Sequence, residues 1–176
     1  MRNHLKFWFV LLISLCLSAA YASGSIRSEN EVKAAFLYNF TRFITWSHTV
    51  DGAKALEICV LGNDPFGDLL NAIRGRKSQG RELKLRYSDD PSELSECDVL
   101  YISESQSRSL PSLFDLAREE GILTVSDLPD FARKGGMIGY VKQGNVIRFE
   151  INLKAASSAG LTINSRLLEL AVKVLR

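Results

Sequence analysis

Three pairs of polar residues in this chain each follow a short apolar run: Asn63 and Asp64 after "ALEICVLG", Ser103 and Glu104 after "DVLYI", Ser126 and Asp127 after "ILTV". Carboxylates, hydroxyls and amides placed this way suit a small polar ligand, because open parallel sheets bind molecules in the crevice beyond the strand carboxyl ends. The same residue types also form turns and cap helices, so a purely structural role competes with the ligand reading. "GNDPFGDLL" stands where a phosphate loop would, but lacks the lysine of a P-loop and the glycine spacing of a dinucleotide fingerprint. A Ser-His-Asp arrangement would have to use His48, with no "GxSxG" beside it. Asp89 and Asp90, Glu93 and Glu96, and Glu119 and Glu120 read as solvated turns and helix faces. No catalytic residue, metal ligand or cofactor is expected, and the chain reads as a non-enzyme.

Cysteine is the other reactive residue type. Cys16 lies in the N-terminal apolar run "FWFVLLISLCL", behind Arg2 and Lys6 and ahead of the small-residue site around Ala20 and Ala22. That is the pattern of a secretory signal peptide, residues 1–22, cleaved after Ala22 to leave a single exported domain over 23–176. Arg2 and Lys6 leave with it, so the formal charge of +2 disappears. A neutral mature chain offers no electrostatic case for nucleic acid or anionic lipid. Cys59 and Cys97 remain, each in or beside a predicted strand and in an oxidising compartment. They read as a disulfide, with two buried free thiols as the alternative.

The elements that would position these residues follow from periodicity. Ser28 and Glu31 form a capping box for a helix running to about Trp46, with Val32, Phe36, Phe40, Phe43 and Ile44 on its apolar face. Tyr38, Arg42 and Trp46 lie off that stripe, and aromatic residues with arginine are the composition of a binding anchor. The competing reading has Trp46 covering a core edge. Then come strand "ALEICVLG", helix "DPFGDLLNAIRG", strands "ELKLRYS" and "DVLYIS", helix "SLPSLFDLAREEG", strand "ILTVSD", a hairpin from Gly135 to Asn152, and a C-terminal helix "TINSRLLELAVKVL". Strands alternating with helices imply an α/β domain: a mostly parallel sheet flanked by helices, with an antiparallel hairpin at one edge.

A three-residue turn, Gln143 to Asn145, would group Met137, Gly139 and Val141 with Ile147, Phe149 and Ile151. Tyr140, Lys142, Arg148 and Glu150 would then share the polar face. That face is either a partner-binding surface or a solvent-exposed Arg-Glu pair.

Together, "KAAFLYNFTRFITWS", "GREL", "CDVLYIS", "ILTVSD", "FARKGGMIGYV" and "NVIRFEINLKAASSAGLTINSRLLELA" resemble the YfiR family of small periplasmic regulators, which includes HmsC-like proteins. The likeness spans the whole mature chain and is most specific from Gly135 to Ala171. Ser47 departs from it, since many members continue "TWP". The hairpin also lacks the second cysteine pair of some members. The resemblance implies a repressor that binds the periplasmic sensor region of an inner-membrane diguanylate cyclase and lowers cyclic di-GMP, and so affects biofilm formation. It implies a further partner, an outer-membrane, peptidoglycan-associated lipoprotein that draws the repressor away, and points to the "RFEIN" block. The alternative is a periplasmic small-molecule-binding sensor acting on another membrane protein. Oligomeric state, a homodimer included, is left open.

Overall fold

The computed structural model describes residues 28–47 and 54–176. The signal peptide read at 1–22 and His48 lie outside these residues. Helix α1 (Glu29–Phe43) opens on the expected capping box, with Ser28 Oγ accepting from Glu31 N at 3.2 Å and the Glu31 carboxylate accepting from Ser28 N at 2.7 Å. It ends at Phe43, short of Trp46. The β-branched pair Ile44 and Thr45 opens strand β1 (Ile44–Trp46) instead, which pairs antiparallel with β9 (Leu161–Ile163).

Among the described residues the main sheet has eight strands: β2 (Leu56–Leu61), β3 (Lys77–Ser78), β4 (Arg81–Ser88), β5 (Val99–Ile102), β6 (Leu123–Ser126), β7 (Ile138–Gln143), β8 (Val146–Asn152) and β10 (Lys173–Leu175). Their order is β10-β8-β7-β6-β5-β2-β4-β3. Strands β4, β2, β5, β6 and β7 run parallel, and every residue of β5 and β6 is buried, as a sheet covered on both faces requires. Alternate residues of β7 show the two layers. Tyr140 stacks on Phe40 of α1 at 5.9 Å, whereas Gly139 faces Phe131 and Ala132, and Phe131 meets Phe114 of α2 (Leu110–Glu120). The expected α/β domain is present.

Three local readings change. "DPFGDLLNAIRG" forms a 3-10 helix over Gly67–Ile73, which still buries Leu70 and Ile73. The C-terminal helix is split: after the short helix α3 (Leu153–Ser158) and β9, helix α4 (Ser165–Leu170), capped by Asn164, stops at Leu170. The alternating "VKVL" then becomes β10, parallel to β8. The hairpin turn has two residues, with Gln143 opposite Val146 and Gly144 at φ +59° in the first central position, where a II′ turn takes glycine. Register therefore shifts by one. Ile138 and Tyr140, not Met137, Gly139 and Val141, share a face with Phe149 and Ile151.

Candidate functional site

Strand order decides where a crevice opens. From β2 the chain moves outward to β4, then crosses back to β5 on the other side of β2 and continues through β6 to β7. The loops leaving β2 and β5 diverge at this switch point. A cavity of ≈ 480 Å³ lies there, lined by Asn63, Asp64 and Pro65 after β2, Tyr101 at the end of β5 with Ser103, Glu104 and Ser105 after it, and Asp127 after β6. The amino-terminal edge is tied shut. There Arg81 donates to Asp98 at 2.7 Å, and Asp98 also accepts from Glu57 N at 2.8 Å.

Gly62 lets the two switch-point loops meet. It has φ +85°, and a Cβ there would stand 2.3 Å from Ser105 Oγ and 2.4 Å from Ser103 Oγ. Those hydroxyls are 2.8 Å apart, and Ser105 Oγ accepts from Asn63 N at 3.0 Å. Asp64 accepts from Phe66 N and Gly67 N at 2.8 and 2.9 Å. Ser126 does not reach the cavity. It is buried, donating to Ile102 O at 2.7 Å and accepting from Leu128 N at 3.1 Å, so it ties the ends of β5 and β6 together.

Asp127 joins the crevice to α1. Lys33 Nζ donates to Asp127 Oδ2 at 2.7 Å, and the Tyr101 hydroxyl donates to Oδ1 at 2.9 Å. Burial, and then the Asp127 carboxylate, push the Tyr101 phenol well above its ordinary range, so it keeps its proton and stays a donor. The Tyr140 hydroxyl donates to Lys33 O at 2.8 Å, and burial raises that phenol too. Asn30 Nδ2 donates to Pro65 O at 2.7 Å, a second tie from α1 to the rim. Sequence reading missed Lys33 and Tyr101. Lys33 precedes Leu37, Phe40 and Ile44 at core spacing, which was a usable signal. Tyr101 stands in a continuous apolar run, where periodicity marks no face.

The residues expected to form one partner surface are dispersed. Tyr140 and Trp46 are only 5% and 3% exposed, and the Trp46 indole N–H donates to Asp98 O at 3.2 Å. Both belong to the core, Tyr140 because the register differs and Trp46 because the helix ends before it. Lys142 is exposed on the α1 side and pairs with Glu29, whose carboxyl this hydrogen bond holds below its usual range. Arg42, also exposed, is near the other end of α1, about 20 Å along its axis. Arg148 is exposed and Glu150 half-buried; they lie across from Val141 and Gly139, on the opposite sheet face from Tyr140. Cys59 and Cys97 are bonded with Cα atoms 5.9 Å apart, linking β2 to the turn that enters β5.

A family model described as YfiR/HmsC-like matches residues 30–172. No curated protein matches the chain. Among solved structures, a conserved domain protein from Vibrio cholerae O1 biovar El Tor str. N16961 is similar with TM-score 0.59 at 12% identity, over 84% of this chain. This chain spans 60% of that protein. The ABC domain from Streptococcus pneumonia, in complex with L-Trp, has TM-score 0.49 at 12% identity, over 68% of this chain and 56% of its own. At such identities the likeness to the Vibrio protein is one of fold.

Proposed function

The chain belongs to the YfiR/HmsC-like family, and we propose from that premise that it is a periplasmic regulator without catalytic activity. In this reading it binds the periplasmic sensor region of an inner-membrane diguanylate cyclase and holds down cyclic di-GMP synthesis, and with it biofilm formation. The observation that carries the reading is the family match over residues 30–172, nearly all of the described chain. The bond between Cys59 and Cys97 supports an oxidising compartment, since such bridges are rare where thiols are kept reduced. Export through a cleaved peptide at residues 1–22, and an outer-membrane peptidoglycan-associated lipoprotein that draws the repressor off the cyclase, belong to the same proposal.

Within it, Arg148 and Glu150 are the contact residues we favour. They stand on one face of β8, Glu150 beside Lys173 of β10 in the parallel ladder, with exposed Val146 at the hairpin end. Glu150→Lys reverses a charge there while Ile147, Phe149 and Ile151 stay packed on the other face. The purified mature chain is expected to capture the cyclase's periplasmic region. Glu150→Lys is expected to lose capture while its Tm falls by no more than about 4 °C, since the core face of β8 is untouched, and cells carrying it should gain cyclic di-GMP. Unaltered cyclic di-GMP after deletion of the gene, with no capture by the wild-type chain, would reject the reading. Capture by the variant at wild-type strength would remove only the assignment of the face.

A further inference from the structure

We propose that the crevice over β2, β5 and β6 binds a small organic cation through a primary ammonium group that competes with Lys33 for Asp127. This is separate from the cyclase reading. The cavity, ≈ 480 Å³, falls within the roughly 300–1,000 Å³ of small-molecule sites. It opens at the switch point of the sheet, where the fold leaves a gap whatever the sequence.

The chemistry of the lining selects the charge of the ligand. Three acidic residues, Asp64, Glu104 and Asp127, line the cavity and one ammonium, that of Lys33, pairs with Asp127, so the lining carries an excess of negative charge that attracts cations. An anion would need donors, and three backbone N–H groups at the mouth are already engaged: Asn63 donates to Ser105, and Phe66 and Gly67 to Asp64. Among the described residues no three of His, Cys, Asp and Glu come close enough together to hold a metal ion. Carboxylates spread around a cavity suit a molecule of several atoms better than a bare ion.

Lys33 shows what the site accepts. Its ammonium already sits on Asp127 at 2.7 Å with its side chain 11% exposed, while the Asp127 side chain remains 31% exposed. A carboxylate offers about four lone-pair positions. Lys33 and Tyr101 use two of them, and Asp127 lines the cavity with its side chain still partly exposed. Two ammonium groups on one carboxylate repel, so an incoming amine competes with Lys33 for Asp127. Displacement removes one of the side-chain ties holding the first turns of α1 to the crevice; the Asn30 bond to Pro65 O is another.

The test is calorimetric titration of the purified mature chain with putrescine, ethanolamine and spermidine, with glutarate and calcium chloride as controls at matched ionic strength. At least one amine is expected to bind at a single site, more tightly than either control. Glu104→Lys should weaken that binding about tenfold, as reversing a nearby charge does. Glu104→Gln should weaken it less, and serves in its place if the lysine variant fails to fold. Lys33→Met, which removes the internal competitor, should tighten it. No binding by any of the three amines, binding that the Glu104 variants leave unchanged, or stronger binding of glutarate or calcium would each overturn the proposal. Because only binding to the isolated chain is read, such a failure would leave the cyclase reading untouched.

Discussion

Trp46 and Arg42 are four residues apart, a spacing that would put them on one face of a helix, yet they share no surface. The helix stops at Phe43, and in β1 the strand period turns Ile44 and Trp46 inward together while Thr45 faces out. The indole is packed in the core cluster and its N–H is used by Asp98 O. Trp46→Ala is therefore expected to cost about 3–5 kcal/mol, the range for a buried aromatic reduced to alanine. Trp46→Phe, which keeps most of the ring but loses the hydrogen bond, should cost more nearly 1 kcal/mol beyond its packing loss. Urea denaturation followed by circular dichroism measures both. A midpoint unmoved by Trp46→Ala would show that the side chain is dispensable to the fold.

Between elements, the covalent link is the largest single restraint. Cys59 and Cys97 are 38 residues apart in sequence and join β2 to the entry of β5, the two strands that flank the switch point. Closing a loop of that length in the unfolded chain corresponds to about 4 kcal/mol in the chain-entropy account. Cys97→Ser together with Cys59→Ser is expected to lose a large part of that and to lower Tm, read by scanning calorimetry. Intact mass of the unreduced protein should be two hydrogen atoms lighter than the reduced form. Two alkylatable thiols in that sample would remove the bridge. The hairpin teaches a different point about elements. Alternation marks Ile147, Phe149 and Ile151 as one face of β8, but which face of β7 joins them depends on a single turn residue. Tyr140 settles it by stacking on Phe40 and donating to the carbonyl of Lys33.

At the scale of the whole molecule, β10 covers β8 at one edge of the sheet. Without it β8 would present an unpaired edge, a template for association with other chains. β10 runs parallel to β8, Val172 N donates to Phe149 O at 3.0 Å, and Val174 and Leu175 are half-buried. Deleting residues 172–176 is expected to destabilise the chain by about 2 kcal/mol or more through exposed apolar area. It should also promote self-association, seen as a lower Tm and a larger scattering mass. A monomer of unchanged Tm would show that the edge needs no cover.

Where a local pattern had one reading, the sequence by itself determined the outcome: the capping box at Ser28 and Glu31, the helix ended at Gly121, the buried strands β2, β5 and β6, and so the α/β class. The polar residues at strand ends were legible for the same reason, since an apolar run bounded by turn formers marks a strand's carboxyl end. Tertiary structure alone decided the rest. "LLELAVKVL" satisfies both a helical and an alternating period; Leu167–Leu170 stay helical and Lys173–Leu175 become strand where β8 offers an open edge. Lys33 and Tyr101 meet on Asp127 from a helix and a strand distant in sequence, a juxtaposition no periodicity encodes. The cavity between the β2 and β5 loops exists because of strand order, a property of how the whole chain is wound and not of any segment within it.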